Sequence, residues 1–452
     1  MARLVYTSKF KRLIIYAISI IVIFKLFSLM SKGKKKQPEK LKEDINLNLY
    51  GPKRELKFIP KKKERKNIFH FAEQINPKTE IKQYSTSFGF SLTQVDKMEK
   101  GINQCEPGSK TCNEKVEEMC KKYDYLIFSD ILYEAKPFIK ANCKAKIILH
   151  LTRPFDDFVP ENEKQSFTNL LNKAIASDKV IMVIPFKGYL YDACERGLYC
   201  TKYVEVRSST YSPTIKNSYV KALIDTKPHI NETMAVFDRY NQEKYLIEEF
   251  QKYGIKYEIL DYDYGGPEVL SKYKAIVHIP YTPAPFSLME NICNDVIIYV
   301  PTREFLQELN EKYPGKLEMS NYLKYLDLRK DYLSMIFECF DVYLAPHLIY
   351  FSSWKDLIAK LKRFSINDRT NLINRNREFA VYQEHLNSYY WKTLLGYGTE
   401  DVNHILNNDD IPYCKQLTSG EKIQIRNRQR RIEIAGRKKK KPIKKNYANQ
   451  FS

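Results

Sequence analysis

The sequence lacks the short signatures that mark many enzymes. It has no GxGxxG, no Walker phosphate loop, no GxSxG elbow and no HExxH helix. Those absences weigh against dehydrogenase, P-loop NTPase, serine hydrolase and zincin chemistry. Nine cysteines are present, but no CxxC pair and no histidine at ligand spacing, which argues against a zinc site. No internal repeat is visible. After Met30 no apolar run is long enough to span a bilayer. No small-residue cleavage site follows the one run that comes close, Leu13–Met30, so a retained anchor is expected rather than a removed signal peptide.

What is there begins with charge. The formal charge of +21 over 452 residues invites a nucleic-acid reading. Its distribution opposes one. Residues 1–66 carry a net +14 and residues 421–445 a net +10, so the chain between them is slightly acidic. Residues 31–66 read as a basic stalk. The terminal run RNRQRRIEIAGRKKKKPIKK reads as a tail touching acidic membrane or glycan. No nucleic-acid partner is expected.

Between the ends, short apolar strands alternate with helical patterns, which predicts parallel sheets. In the first series the strands are NIFHFA from Asn67, Tyr125–Phe128, Lys146–Leu151, Val180–Ile184 and Val204–Val206, with residues 73–113 read as loop. A second series starts at MAVFDR, from Met234. Its centre is Tyr273–Pro301: a strand at Ala275–Ile279, a proline-bearing loop at Tyr281–Pro285, a helix that Ser287 is expected to cap, and a strand at Val296–Val300. Residues 323–340 and 368–395 read as helices. The expected fold class is α/β, with two tandem Rossmann-like domains and a crevice between them.

Open α/β sheets bind ligands at the carboxyl ends of their strands, and helix N-termini favour anions. Glu290, one turn into the Ser287 helix, can reach that crevice. Arg239 follows the first strand of the second series and suits a phosphate. Arg153, Asp156 and Asp157 follow the third strand, where an Asp could act as general base on a hydroxyl. Asp261 and Asp263 form a DxD that reads as a polar loop in preference to a metal site. His150 and His278 read as core histidines. Cys105, Cys112, Cys120 and Cys143 suggest disulfides with open connectivity. The sequon at Asn231 is compatible with lumenal exposure.

The stretch PFSLMENICNDVIIYVP resembles the Glu-containing segment of GT-B glycosyltransferases. The resemblance implies that Glu290 holds the ribose of a nucleotide-sugar, with Phe286 and Ser287 at the diphosphate and Tyr281 beside it. The loop YTPAPF lacks the first Glu of the fuller motif, so a retaining mechanism is not supported. YDYLIFSD, CKAKIILHLTRPFDDFVP and VPTREFLQEL further resemble a group of GT-B-like transferases of microbial eukaryotes and large viruses. In that family no metal cofactor is needed, and the last long helix returns to the first domain.

The reading is therefore a metal-independent glycosyltransferase that uses a nucleotide-sugar as co-substrate and a glycan or glycoprotein as acceptor. Its parts are a cytosolic tail (1–12), an anchor (13–30), a stalk (31–66), an acceptor domain (67–225), a nucleotide-sugar domain (226–365), a returning helix (366–395) and a basic tail (396–452). It would be a single-pass type II protein of the Golgi or ER membrane with a lumenal body. Arg153 and Asp156 are the expected catalytic residues; Glu290, Ser287, Phe286, Arg239 and Tyr281 are expected to bind the donor. The rival reading is a membrane-tethered protein of degenerate GT-B fold that binds a glycan or partner without turnover.

Overall fold

The computed structural model describes residues 65–98, 110–141, 143–198, 202–208, 232–237, 243–261, 264–313, 317, 336–398 and 400–407. The expected anchor at 13–30, most of the stalk and most of the basic tail lie outside the described residues. Among the described residues no helix is long and apolar enough to cross a membrane.

The chain forms two parallel sheets, as the alternation predicts. The first runs through β1 (Asn67–Phe71), α1 (Ile75–Phe88), β2 (Ser91–Val95), α2 (Lys110–Lys122), β3 (Tyr125–Ser129) and α3 (Lys136–Lys140). It continues with β4 (Lys146–His150), α4 (Lys164–Ala176), β5 (Val180–Ile184), α5 (Gly188–Glu195) and β6 (Tyr203–Glu205). Its strand order is β2-β1-β3-β4-β5-β6, parallel throughout. The second comprises β7 (Met234–Phe237), α6 (Glu243–Tyr253), β8 (Tyr257–Leu260), α7 (Pro267–Leu270), β9 (Ile276–Val277) and α8 (Phe286–Cys293). It closes with β10 (Ile298–Pro301), α9 (Arg303–Lys312), β11 (Ile349–Phe351), α10 (Trp354–Arg363) and α11 (Ile366–Leu394). Its order, β11-β10-β9-β7-β8, repeats the same winding.

The central strands are apolar along most of their length because both faces are covered, with polar residues kept to their ends and to one row near the carboxyl edge. Along β3, Leu126 and Phe128 enter one core, while Tyr125 and Ile127 enter the other. On β4, Ile147 and Leu149 face one way and Ile148 the other. The second sheet gathers a single core around Ile276, Ile298, Tyr299 and Val300.

Two elements depart from the sequence expectation. Residues read as loop form α1 and β2. Helix α1 carries apolar residues only sparsely, with Ile81 and Tyr84 inward, and ends at Gly89 in the left-handed conformation (φ 76°). Strand β2 lies at the sheet edge with no fully buried residue, so its alternation is weak. The helix expected over 323–340 falls mostly outside the described residues. Its end, Glu338–Phe340, is a 3₁₀ turn.

Helix α11 starts on a capping box, Ser365 with Asp368. At about 1.5 Å per residue it is long enough to reach from one sheet to the other. Near its start Arg369 donates to the carbonyls of Ser271 (3.0 Å) and Lys274 (2.8 Å), and Arg377 pairs with Asp295 (2.9 Å). At its end Trp391 and Leu394 are fully buried against Ile68, Ile81, Ile127 and Ile148 of the first sheet and α1. Trp391 Nε1 donates to Glu80 of α1 at 3.1 Å.

Glu80 is 1% exposed, and burial pushes its carboxyl up to about 8, against the opposing Trp391 hydrogen bond. The folded state thus holds this proton more tightly than the unfolded state does. The associated stability is complete below about pH 4.5 and is lost as pH rises through 8. Glu80→Gln removes the titration and keeps an acceptor for Trp391. Urea unfolding from pH 5 to pH 9 should show the difference between variant and wild type moving in the variant's favour by a few kcal/mol, of the order that such a shift implies.

Candidate functional site

In doubly wound sheets the crevice opens where strand order reverses, here between β1 and β3 and between β7 and β9. At the first of these points the Gln74 N–H donates to Asp130 Oδ2 (2.7 Å) across the gap. Asp130, buried and at φ 65°, accepts from the Thr152 hydroxyl (2.5 Å), and its own N–H donates back to Thr152 Oγ1 (2.9 Å). Three strand ends are thereby tied together. Arg153 follows Thr152. Its guanidinium pairs with Glu73 (3.4 Å) and, with the Gln74 amide oxygen turned towards it, donates to that oxygen at 2.7 and 2.9 Å.

The carboxyl-end loops of the two sheets meet. The Tyr189 hydroxyl donates to the Thr152 carbonyl (3.1 Å) and lies 3.4 Å from Thr282 Oγ1 in the loop after β9. The Glu338 N–H donates to the Pro283 carbonyl of that loop (2.7 Å). Gly188, at the start of α5, lies against the Ile336 carbonyl with no room for a Cβ.

Arg207, just past β6, reaches Glu338 (3.2 Å), Asp341 (3.1 Å) and Glu205 (3.4 Å). Its carbonyl accepts from Asn387 of α11. Glu338 is fully buried, and burial outweighs Arg207 in pushing its carboxyl up to about 8. Neither Arg207 nor Glu338 stands out in the sequence, because each is a single charged residue outside any motif.

In the second sheet, β9 leads through Tyr281–Pro285 into α8. Ser287 does not cap this helix as expected. Pro285 occupies the N-cap, Phe286 is the first helical residue and Ser287 the second. The proline satisfies the boundary through its fixed φ, leaving the Ser287 hydroxyl 3.3 Å from the Tyr281 hydroxyl. Phe286 is buried, its ring 6.4 Å from His150 of the first sheet. Glu290 is half-buried, its carboxyl makes no hydrogen bond or ion pair among the described residues, and burial raises its pKa. Asn294 caps the end of the helix, its N–H donating to the Asn291 carbonyl, and Asp295 follows in the left-handed conformation (φ 64°).

In the first sheet's loop, Asp156 accepts from Arg196 through Oδ1 at 2.6 Å, and Arg196 also holds Asp192 (2.7 Å). Asp157 is half-buried, with its pKa raised by burial and by the neighbouring carboxylates against Arg196 and Arg153. Its side chain has no hydrogen-bond or ion-pair partner among the described residues.

A polar row crosses four adjacent strands near their carboxyl ends. Gln94 donates to His70 Nδ1 (2.8 Å), His70 Nε2 lies 3.0 Å from Ser129 Oγ, and Ser129 Oγ lies 3.2 Å from His150 Nδ1. Gln94 also donates to the Lys78 carbonyl, which assigns its NH₂ group. Burial lowers both histidines to about 3, so the row is neutral. His150 stands edge-on to Trp391 at 5.6 Å and is a core histidine. His278 is only partly buried, at 5.9 Å from the Tyr281 ring.

The expected residues thus gather in two groups, Arg153 with Asp156 and Tyr281 with Phe286, Ser287 and Glu290, joined through Tyr189 and His150. Arg239, Asp263, Cys105 and Asn231 lie outside the described residues. Cys120 and Cys143 form a disulfide, and Cys194 is disulfide-bonded too. Among the described residues no group of three or more His, Cys, Asp or Glu could hold a metal ion.

No protein-family model matches the chain, and no curated protein matches it. Two solved structures show a distant likeness. One is described as a UDP-N-acetylglucosamine 2-epimerase from Listeria monocytogenes, with 9% identity and a TM-score of 0.37 over 75% of this chain and 99% of that one. The other is a DNA-modifying β-glucosyltransferase, solved with and without uridine diphosphoglucose, with 13% identity and a TM-score of 0.32 over 73% of this chain and 99% of that one.

Arg207→Ala should destabilise the protein by about 3–5 kcal/mol at pH 9, where Glu338 is ionised and loses its partner, and by less at pH 6, where it is protonated. Adding Glu338→Gln should recover a large part of the loss at pH 9. A double-mutant cycle in denaturant checks it.

Proposed function

We propose that the protein is a glycosyltransferase of GT-B type that takes a nucleotide-sugar donor. The observation that carries this reading is Glu290. A half-buried carboxylate with no partner costs stability, and such a cost is retained where a ligand supplies the partner. Glu290 stands one turn into α8, whose N-terminus opens at the carboxyl end of a central strand beside the switch point. A ribose diol donates to a carboxylate, and the helix start favours the diphosphate that follows it. Tyr281, Phe286 and Ser287 line the approach, and Arg239 is assigned to the diphosphate. Leaving-group charge would be met by amides and guanidinium without metal.

Opposite this helix, Arg153 is assigned to orient the acceptor. Asp156 is assigned as base through the oxygen not bonded to Arg196. The acceptor is a glycan or glycoprotein. Residues 13–30 are assigned as the anchor of a type II protein of the Golgi or ER membrane, a reading that the Cys120–Cys143 disulfide supports by favouring an oxidising compartment.

Thermal shift of the purified protein with nucleoside diphosphates, with and without manganese, tests the reading. One nucleotide at a hundredfold over its Kd should add about 2.7 kcal/mol without metal. Glu290→Gln should cut that affinity at least tenfold and leave the ligand-free melting point within a few degrees. Absence of a shift with every nucleotide would overturn the proposal.

A further inference from the structure

The loop after β4 holds an aromatic ring where folding alone would not put one. Phe158 is 62% exposed. Its φ of 60° is a left-handed conformation that a bulky residue adopts at a cost. The exposure is imposed by its neighbours. Phe155 and Val159 are buried on either side, the Asp157 N–H donates to the Pro154 carbonyl (3.1 Å), and the Val159 N–H donates to the Asp156 carbonyl (3.3 Å). Asp156 is clasped by Arg196. The loop is fixed from both ends, with Phe158 turned outwards.

Arg153 lies over one face of the Phe158 ring, 5.6 Å from its centroid, and is itself held by Glu73 and Gln74. The other face of the ring is left for a ligand. Asp157, the preceding residue, keeps a half-buried carboxyl without a hydrogen-bond or ion-pair partner among the described residues, and Arg196 and then Arg153 act on it electrostatically. A flat apolar face, an unpaired carboxyl and a fixed guanidinium therefore lie together at the carboxyl edge of the first sheet.

We propose that Phe158, Asp157 and Arg153 form a platform for a pyranose ring of the acceptor. This rests on the glycosyltransferase reading for the word acceptor, though the binding itself does not. A pyranose presents a C–H face bordered by hydroxyls. The face stacks on the free side of the aromatic ring, vicinal hydroxyls donate to the carboxylate, and the guanidinium backs the ring from its other side and holds it in place. A protein partner would need a broad apolar patch. Arg153 and Asp157 beside this ring are charged.

The test uses the full-length chain and saturation-transfer NMR with the methyl pyranosides of glucose, galactose, mannose and N-acetylglucosamine. At least one should receive saturation, strongest on the C–H protons of one face. Phe158→Gly should weaken that sugar at least fivefold without lowering the melting temperature, since glycine accepts the backbone conformation. Phe158→Trp should retain binding, and Asp157→Asn should weaken it severalfold. Running the best sugar as a free oligosaccharide and as a glycopeptide identifies its carrier; loss with Phe158→Gly on either supports the platform.

Equal binding by Phe158→Gly and wild type would overturn the proposal. So would a nucleotide-induced thermal shift with no sugar bound, which leaves the donor reading standing. Phe158-dependent sugar binding with no nucleotide shift would support the platform and overturn the donor reading. A Phe158→Gly effect confined to self-association would replace the platform with a protein contact.

Discussion

The Arg207 guanidinium, buried among Glu338, Asp341 and Glu205, is the interaction on which the site's geometry depends. It leaves the last strand of the first sheet and holds the segment that enters the last strand of the second. Glu338 in turn bonds the Pro283 carbonyl through its backbone, and Asn387 of α11 bonds the Arg207 carbonyl. Arg207 and Glu338, through side chain and backbone together, thereby tie three pieces that otherwise have no covalent reason to agree: the segment after β6, the loop before α8 and the returning helix. Three carboxylates around one cation leave a negative excess, and burial resolves it by holding the Glu338 proton.

The carboxyl edges are where the fold tolerates polar burial, and it does so in two ways. Asp130 with Thr152, and Ser129 with His70 and His150, are buried and bonded to one another, and they shape the edge. Glu290 and Asp157 are half-buried and unbonded within the described residues. They stand on opposite sides of a junction that Tyr189 closes from both ends. Adjacent carboxylates differ in their partnering: Asp156 is held by Arg196 through one oxygen, whereas Asp157 has no hydrogen-bond or ion-pair partner among the described residues.

Where the hydrophobic pattern is dense, the sequence is readable. Tyr125–Phe128, Val180–Ile184 and, within Tyr273–Pro301, Ala275–Val277 and Val296–Val300 are continuous apolar runs, because parallel strands are covered on both faces. Helix α1 and strand β2 escape this reading. One carries few apolar residues and the other sits at an edge, so neither shows a strong period. Ser287 looks like a cap by residue type, but Pro285 reaches the boundary first. Glu290 and Arg153 are legible as candidates through their distance from a strand end, a local property.

The sequence by itself determined the alternation of strands and helices, the parallel sheets and the placing of polar residues after apolar strands. Each follows from neighbours a few positions apart. Only the tertiary structure decided that Arg207 meets Glu338, that Trp391 returns to Glu80, that four strands align a histidine row and that Phe158 is held outwards. Those contacts join residues far apart along the chain, and no short-range period encodes them. They arise when two separately wound sheets are brought edge to edge and each buried charge must find its partner.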